Sequence, residues 1–105
     1  MLQVNNSIKQ ERKDMHYGEF KAPKGIIKVS LELDGTVISD INISGDFFMY
    51  PEEALDDLER LLVGAKPERA ELSKLIEQFY EQRQIQAPML TPGCFVEAII
   101  RAVRR

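Results

Sequence analysis

Two neighbouring segments of the chain alternate between apolar and polar residues. The first, IIKVSLEL, places Ile27, Val29, Leu31 and Leu33 on one face, as expected for a half-buried strand. The second, TVISDINI, places Val37, Ile41 and Ile43 on one face. Asp34-Gly35 lies between them and tolerates the positive φ angles of a two-residue type I′ turn. The pattern predicts an antiparallel hairpin over residues 26–44, with a short strand before it in HYGEFKA.

After GDFF the hydrophobic spacing changes to three and four residues, which is typical of helices. Pro51, Pro67 and Pro92 each suit a first helical turn, where a missing N–H costs no hydrogen bond. The predicted helices end near Gly64, near Arg83 and close to the end of the sequence. Their apolar stripes are Leu55, Leu58, Leu61 and Leu62; then Leu72, Leu75, Ile76, Phe79 and Tyr80; then Phe95, Val96, Ile99, Ile100 and Val103.

Strands that precede helices predict an α+β fold, in which about three helices pack on one face of a small antiparallel sheet. Residues 1–15 are polar and lack a sustained period, so we interpret them as an N-terminal arm. Residues 16–105 then form one domain, in line with the usual size of a domain.

Composition limits the class of protein. The chain has 105 residues, of which 44% are hydrophobic and 30% charged, and it contains one cysteine. No apolar run reaches the roughly 18 residues of a membrane span, and the first residues do not resemble a secretory signal. The sequence therefore predicts a cytoplasmic protein with no membrane association and no internal disulfide.

Charge is unevenly distributed along the chain, which has a net charge of −3. Residues 34–63 carry eight acids and one base, whereas residues 1–28 carry six bases and three acids. A nucleic-acid-binding domain usually has a clustered basic surface and a high pI, and the pI here is about 5.2. The acidic segment favours either a basic protein partner or an ordinary solvated helix face.

Candidate catalytic groups are few, and no glycine-rich phosphate-binding motif is present. One His and one Cys cannot form a usual structural zinc site. His16 can be a general base or a surface histidine, and the acids Glu52, Glu53, Asp56 and Asp57 can be a metal site or a solvated helix face. We therefore assign this chain no catalytic residue and no metal ligand of its own.

Cys94 lies in TPGCF, at the start of the last predicted helix. A helix N-terminus favours the reactive thiolate, but cysteine also packs well as a small hydrophobic residue. Both interpretations remain open from the residues alone.

Two further segments have compositions that the predicted strands and helices do not explain. They are the basic loop KAPKG at 21–25 and the apolar corner GDFFMYP at 45–51. Four large apolar or aromatic side chains in succession cannot all face one small core, so we expect at least one of them to face outward.

The run KAPKGIIKVSLELDGTVISDINISGDFFMYPEEALDDLERLLVG resembles the C-terminal accessory domain of lipoate-protein ligases. The resemblance is strongest over residues 17–64 and rests on the Lys-Gly approach to the hairpin, the G-D-F-F corner and the acidic helix. It implies a free-standing small subunit that pairs with a catalytic ligase subunit. The complex would use ATP, Mg²⁺ and lipoate, none of them bound by this chain alone, to form lipoyl-AMP and then modify a lysine of lipoyl domains.

The resemblance also implies which residues contact the partner or cover its active site: Lys24, Gly25, Gly45, Asp46, Phe47 and Phe48. In this interpretation Gly45 and Asp46 set a turn, Phe47 or Phe48 contacts the catalytic subunit, and Lys24 favours the phosphate charge that develops there. The alternative is that both aromatic rings only cap the core. Two other functions also remain open: a single-cysteine sulfur acceptor of the iron-sulfur assembly type that uses Cys94, or a non-catalytic interaction module.

Overall fold

A computed structural model shows three strands followed by three helices, and it describes residues 14–104. Residues 1–13 of the predicted polar arm lie outside that range, while Asp14 and Met15 already belong to the first strand. The elements are β1 Asp14–Ala22, β2 Gly25–Asp34, β3 Val37–Asp46, α1 Ala54–Leu62, α2 Arg69–Arg83 and α3 Pro92–Val103. The predicted α+β fold is confirmed.

The sheet is antiparallel throughout, with β2 between β1 and β3. The predicted hairpin is present, and the predicted N-terminal strand is a full partner of nine residues. β3 contains an extra residue, because Glu32 pairs with Asp40 and Leu33 pairs with Ile38. This bulge at Ser39 shifts the alternation of β3, so Ile38 takes the inward position that the sequence pattern had given to Val37.

The hairpin loop also differs from the prediction by one residue. Asp34 pairs with Val37, so the two loop residues are Gly35 and Thr36, and Gly35 has a φ of 68°. Thr36 does not have a positive φ, which a type I′ turn requires at both central positions. The predicted type I′ turn at Asp34-Gly35 is therefore wrong, and glycine alone supplies the left-handed conformation.

Helix bounds agree with the sequence pattern to within a few residues. Pro51, Glu52 and Glu53 form a turn before α1, whose buried face is Ala54, Leu58 and Leu62. Leu61, predicted in the apolar stripe, is 39% exposed. The face of α1 that packs on the sheet is formed by Ala54, Leu58 and Leu62, which are four residues apart, and Leu61 lies beside that face. Similarly, α2 begins at Arg69, two residues after the predicted Pro67, and α3 begins at Pro92 as predicted.

The helices cover one face of the sheet and enclose a single core. α1 packs on β3, α3 packs on β1 and β2, and α2 packs against the two other helices. The inward residues of the strands and the buried faces of the helices join in this core. Across residues 14–104, none of the helices is both long and apolar enough to span a membrane.

Candidate functional site

The residues that the sequence singled out meet at one end of the sheet. Ala22 pairs with Gly25 around a two-residue turn, so Lys24 lies at the tip of the β1–β2 hairpin and is exposed. β3 leaves the sheet at the same end, because Ile26 pairs with Asp46. The structure therefore places Lys24 beside the GDFF segment, although Lys24 and Gly45 are 21 positions apart in sequence.

Gly25 and Gly45 let the start of β2 and the end of β3 approach closely. Their φ angles are 153° and 141°, which side chains of L-residues rarely adopt. A Cβ at Gly25 would overlap the carbonyl oxygen of Asp46, and a Cβ at Gly45 would overlap that of Ile26. Gly45 and Asp46 still belong to β3, so the predicted Gly-Asp turn is wrong, and the chain turns only after Asp46.

The side chains of residues 47–50, here called the corner segment, alternate between the core and solvent. Phe47 is partly buried and its ring meets Phe95 edge to face, with 5.7 Å between centroids and 88° between planes. Met49 is buried, whereas Phe48 is 61% and Tyr50 is 55% exposed. The expectation that at least one of these side chains faces outward is confirmed, and the structure adds Tyr50 to Phe48.

The corner segment is held on its other side by the connector between α2 and α3. The backbone N–H groups of Tyr50 and Gln86 each donate to the other residue's carbonyl oxygen at 2.8 Å. Leu90 N–H donates to Ala87 O at 2.9 Å and closes a turn in which Met89 has a φ of 65° and is 56% exposed. Phe48, Tyr50 and Met89, here called the exposed patch, thus lie on two tethered segments.

Sequence reasoning missed Tyr50 and Met89 as members of this surface. The segments that carry Tyr50 and Met89 are joined by the bridge between Tyr50 and Gln86, and a pairing between residues 36 positions apart has no local sequence pattern. One signal was available: residues 84–96 contain no charged side chain, although 30% of the whole chain is charged. Such a run is typical of residues that are shielded from water or that meet a partner.

Charged residues flank the segments that carry the exposed patch. Asp46 precedes the corner segment, Glu52 and Glu53 follow Pro51, and all three acids are exposed. Lys24 is the neighbouring base on the β1–β2 turn. Three of these four charged residues are acidic, so the border of the exposed patch is mainly acidic.

The acidic residues of α1 form ion pairs and backbone contacts. The Asp57 carboxylate forms ion pairs with Arg83, at 2.6 Å, and with Arg60. The hydrogen bond from Arg83, followed by that from Arg60, holds the pKa of the Asp57 carboxyl below its ordinary value. Glu59 accepts a hydrogen bond from the Ile43 N–H at 2.7 Å and so caps the free edge of β3. No group of three or more potential metal ligands forms within residues 14–104.

Cys94 and His16 are both packed against other elements. Cys94 is partly buried in the first turn of α3, and its Sγ lies 3.6 Å from the Thr91 hydroxyl. Tyr80 packs nearby, and its hydroxyl donates a hydrogen bond to the Leu90 carbonyl at 2.8 Å. Burial is the main cause that raises the pKa of Tyr80, and the charge of a Cys94 thiolate is the second cause. His16 lies in β1, as the predicted strand HYGEFKA implied, and its Nε2 is buried without a hydrogen-bond partner among the described residues.

Comparison with known proteins places this fold in a family. Residues 14–99 match the model of the bacterial lipoate protein ligase C-terminus. The chain belongs to this family. It is also 43% identical over 90 residues to lipoate-protein ligase A subunit 2 of Thermoplasma acidophilum, a match that covers 86% of this chain and 88% of that protein. The resemblance drawn from the GDFF corner and its flanking elements is therefore confirmed.

A solved structure supports the same assignment in three dimensions. It belongs to an archaeal lipoylation system of Thermoplasma acidophilum, described as a bi-partite lipoate protein ligase and its E2 lipoyl domain. One of its chains superposes with a TM-score of 0.75 and 40% identity, over 83% of this chain and 96% of that chain. A family member can thus consist of little more than the fold described above.

Proposed function

We propose that this chain is the accessory subunit of a two-chain lipoate-protein ligase. One observation carries the proposal: a relative that is 43% identical, and that this chain covers for 88% of its length, is itself a ligase subunit. A second supports it, because the exposed patch and its acidic border offer a surface for contact with a partner. The chain accordingly acts through a catalytic subunit and forms a heterodimer with it.

The accessory subunit is required for activation of lipoate. In this step a carboxylate oxygen of lipoate attacks the α-phosphorus of ATP, the bond to pyrophosphate breaks, and lipoyl-AMP forms. In this proposal ATP, Mg²⁺ and lipoate bind to the catalytic subunit. The lipoyl group then passes to a lysine of a lipoyl domain.

Docking of this chain orders loops of the catalytic subunit around lipoate and ATP, which excludes water and aligns the carboxylate with the α-phosphate. Gly25 and Gly45 fix the end of the sheet, Asp46 and Phe47 direct the corner segment, and Phe48 meets the partner. Lys24 at the hairpin tip approaches the side where phosphate charge develops. Lys24→Met then lowers the rate of pyrophosphate release and leaves the thermal stability of the chain unchanged.

Pyrophosphate release in the presence of lipoate tests the proposal. We expect the catalytic subunit of the same organism to release pyrophosphate much faster when this chain is added. We also expect preformed lipoyl-AMP to bypass the requirement, because transfer follows activation. A chain that binds the catalytic subunit without changing either rate is an interaction module, and the activation role would then be wrong.

A matched cysteine variant separates ligase and sulfur chemistry. Cys94→Ser changes one atom in the first turn of α3 and should leave stimulation of pyrophosphate release unchanged. It would abolish function if the chain were a single-thiol sulfur acceptor.

A further inference from the structure

We infer that the exposed patch is the surface that binds the catalytic subunit, at an apolar recess of that subunit bordered by basic side chains. The inference rests on the proposed function and adds which surface makes the contact and what chemistry it meets. Phe48, Tyr50 and Met89 supply the apolar contact. Asp46 and the first acids before α1 supply the charge that selects a basic border.

Among the described residues, the exposed patch is the largest of three groups of exposed large hydrophobic side chains. Of the seven large hydrophobic residues exposed within residues 14–104, three belong to the exposed patch. The remaining four are divided between the other end of β1 and the C-terminal end of α1: Met15, Tyr17, Leu61 and Val63. Aromatic residues and methionine are enriched at protein interfaces, and aromatic anchors often carry most of the binding free energy.

The aromatic rings are presented by a rigid support. Phe47 on Phe95 and the buried side chain of Met49 fix the residues that alternate with Phe48 and Tyr50. The two hydrogen bonds between Tyr50 and Gln86 fix the backbone from the other side. A backbone that is already held in place loses less conformational entropy on binding, so this arrangement favours a stable contact.

Met89 gives an independent indication that the patch serves binding. Its φ of 65° lies in the left-handed region, where glycine is favoured and a long side chain is strained. The side chain is 56% exposed and so gains little from the core. A strained, exposed methionine is poorly explained by folding alone, and strain of this kind is typical of functional surfaces.

Charge around the patch specifies the kind of partner. Asp46, Glu52 and Glu53 are exposed beside it, and Lys24 is the neighbouring base, so the border is acidic overall. Residues 84–96 of the connector add no charge. A second copy of this chain would bring two acidic borders together, which is unfavourable, whereas a basic border on the catalytic subunit is complementary.

Paired double variants test the assignment by calorimetric titration of the catalytic subunit. Phe48→Ala with Tyr50→Ala should weaken Kd by at least thirtyfold. The control, Met15→Ala with Tyr17→Ala, removes residues of matched exposure at the other end of β1 and should change Kd by less than threefold. Far-UV circular dichroism and Tm should match the wild type in both pairs.

Met89→Gly keeps the turn and removes the side chain. We expect weaker binding without any fall in Tm, a combination that loss of structure cannot produce. Asp46→Asn with Glu52→Gln should slow association several-fold at low salt and flatten its salt dependence. An unchanged association rate would contradict the basic border on the partner.

The outcomes are distinguishable. The Phe48→Ala, Tyr50→Ala variant and its control, Met15→Ala with Tyr17→Ala, are compared directly. If both bind like the wild type, or lose affinity equally, the assignment of this surface is wrong although the proposed function stands. If the wild-type chain does not bind the catalytic subunit, the proposed function fails and this inference fails with it. If sedimentation shows a wild-type dimer that Phe48→Ala with Tyr50→Ala dissociates, the surface belongs to a second copy and the inference is overturned.

Discussion

Phe47 and Phe48 are adjacent in sequence, and the structure predicts opposite consequences for their replacement. Phe47 lies partly buried with its ring against Phe95, whereas the Phe48 ring is 61% exposed. Phe47→Ala should therefore destabilise the fold and Phe48→Ala should not. The pair is a matched test, because each substitution removes the same atoms one residue apart.

The magnitude follows from the contacts that each ring makes. Replacing a fully buried phenylalanine by alanine costs about 3–5 kcal/mol, and an edge-to-face aromatic pair contributes about 0.5–1.5 kcal/mol beyond burial. Partial burial of Phe47 reduces the total to about 2–3 kcal/mol. In a domain of this size that loss lowers Tm by roughly 10 °C or more. Phe48→Ala should stay within about 0.5 kcal/mol of the wild type.

Urea unfolding followed by far-UV circular dichroism measures both variants. We expect a lower midpoint with an unchanged slope for Phe47→Ala and an unchanged midpoint for Phe48→Ala. Equal midpoints for the two variants would refute the alternation of the corner segment between core and solvent. A lower midpoint for Phe48→Ala alone would mean that the two rings exchange places.

Three further predictions concern strain, pH and the thiol. Gly45→Ala should cost more stability in thermal unfolding than Gly35→Ala, because only the Cβ at Gly45 would overlap backbone; equal losses would contradict that close approach. The hydrogen bond from Arg69, at 2.8 Å, is the main cause that lowers the pKa of Glu97 in the folded chain. The stabilisation is therefore present at neutral pH and is lost as the pH falls through the lowered pKa of the folded carboxyl. Urea titrations should show Glu97→Gln converging on the wild type at low pH, and a gap that persists there would contradict the ion pair. For Cys94→Ser we expect unchanged affinity for the catalytic subunit in calorimetric titration, and a large loss would place the thiol in the interface.

Local patterns predicted most of the fold. Alternation gave the paired strands, and proline with spaced apolar residues gave the helices, because both signals depend on neighbours within one or two turns of chain. The bulge at Ser39 was not predictable from the alternation of apolar and polar residues. One extra residue changes which residues of β3 face the core, but the sequence carries no separate signal for it. Leu61 was assigned inward because a short helix has more apolar residues than its buried face can accept.

The corner was only half predictable, for a different reason. Composition showed that Phe47, Phe48, Met49 and Tyr50 exceed what one core can bury, and this correctly implied an outward ring. Composition could not show which ring, because that depends on Phe95 and on the bridge to Gln86. Met89 joined the surface only through that long-range pairing.

Formation of lipoyl-AMP by the catalytic subunit, measured while this chain is titrated in, is the most direct test of the activation role. We expect the rate to rise and to saturate at one chain per catalytic subunit, and we expect Phe48→Ala with Tyr50→Ala to shift saturation to higher concentration without changing the final rate. A rate that stays constant across the titration, while the two proteins form a stable complex, would contradict the activation role.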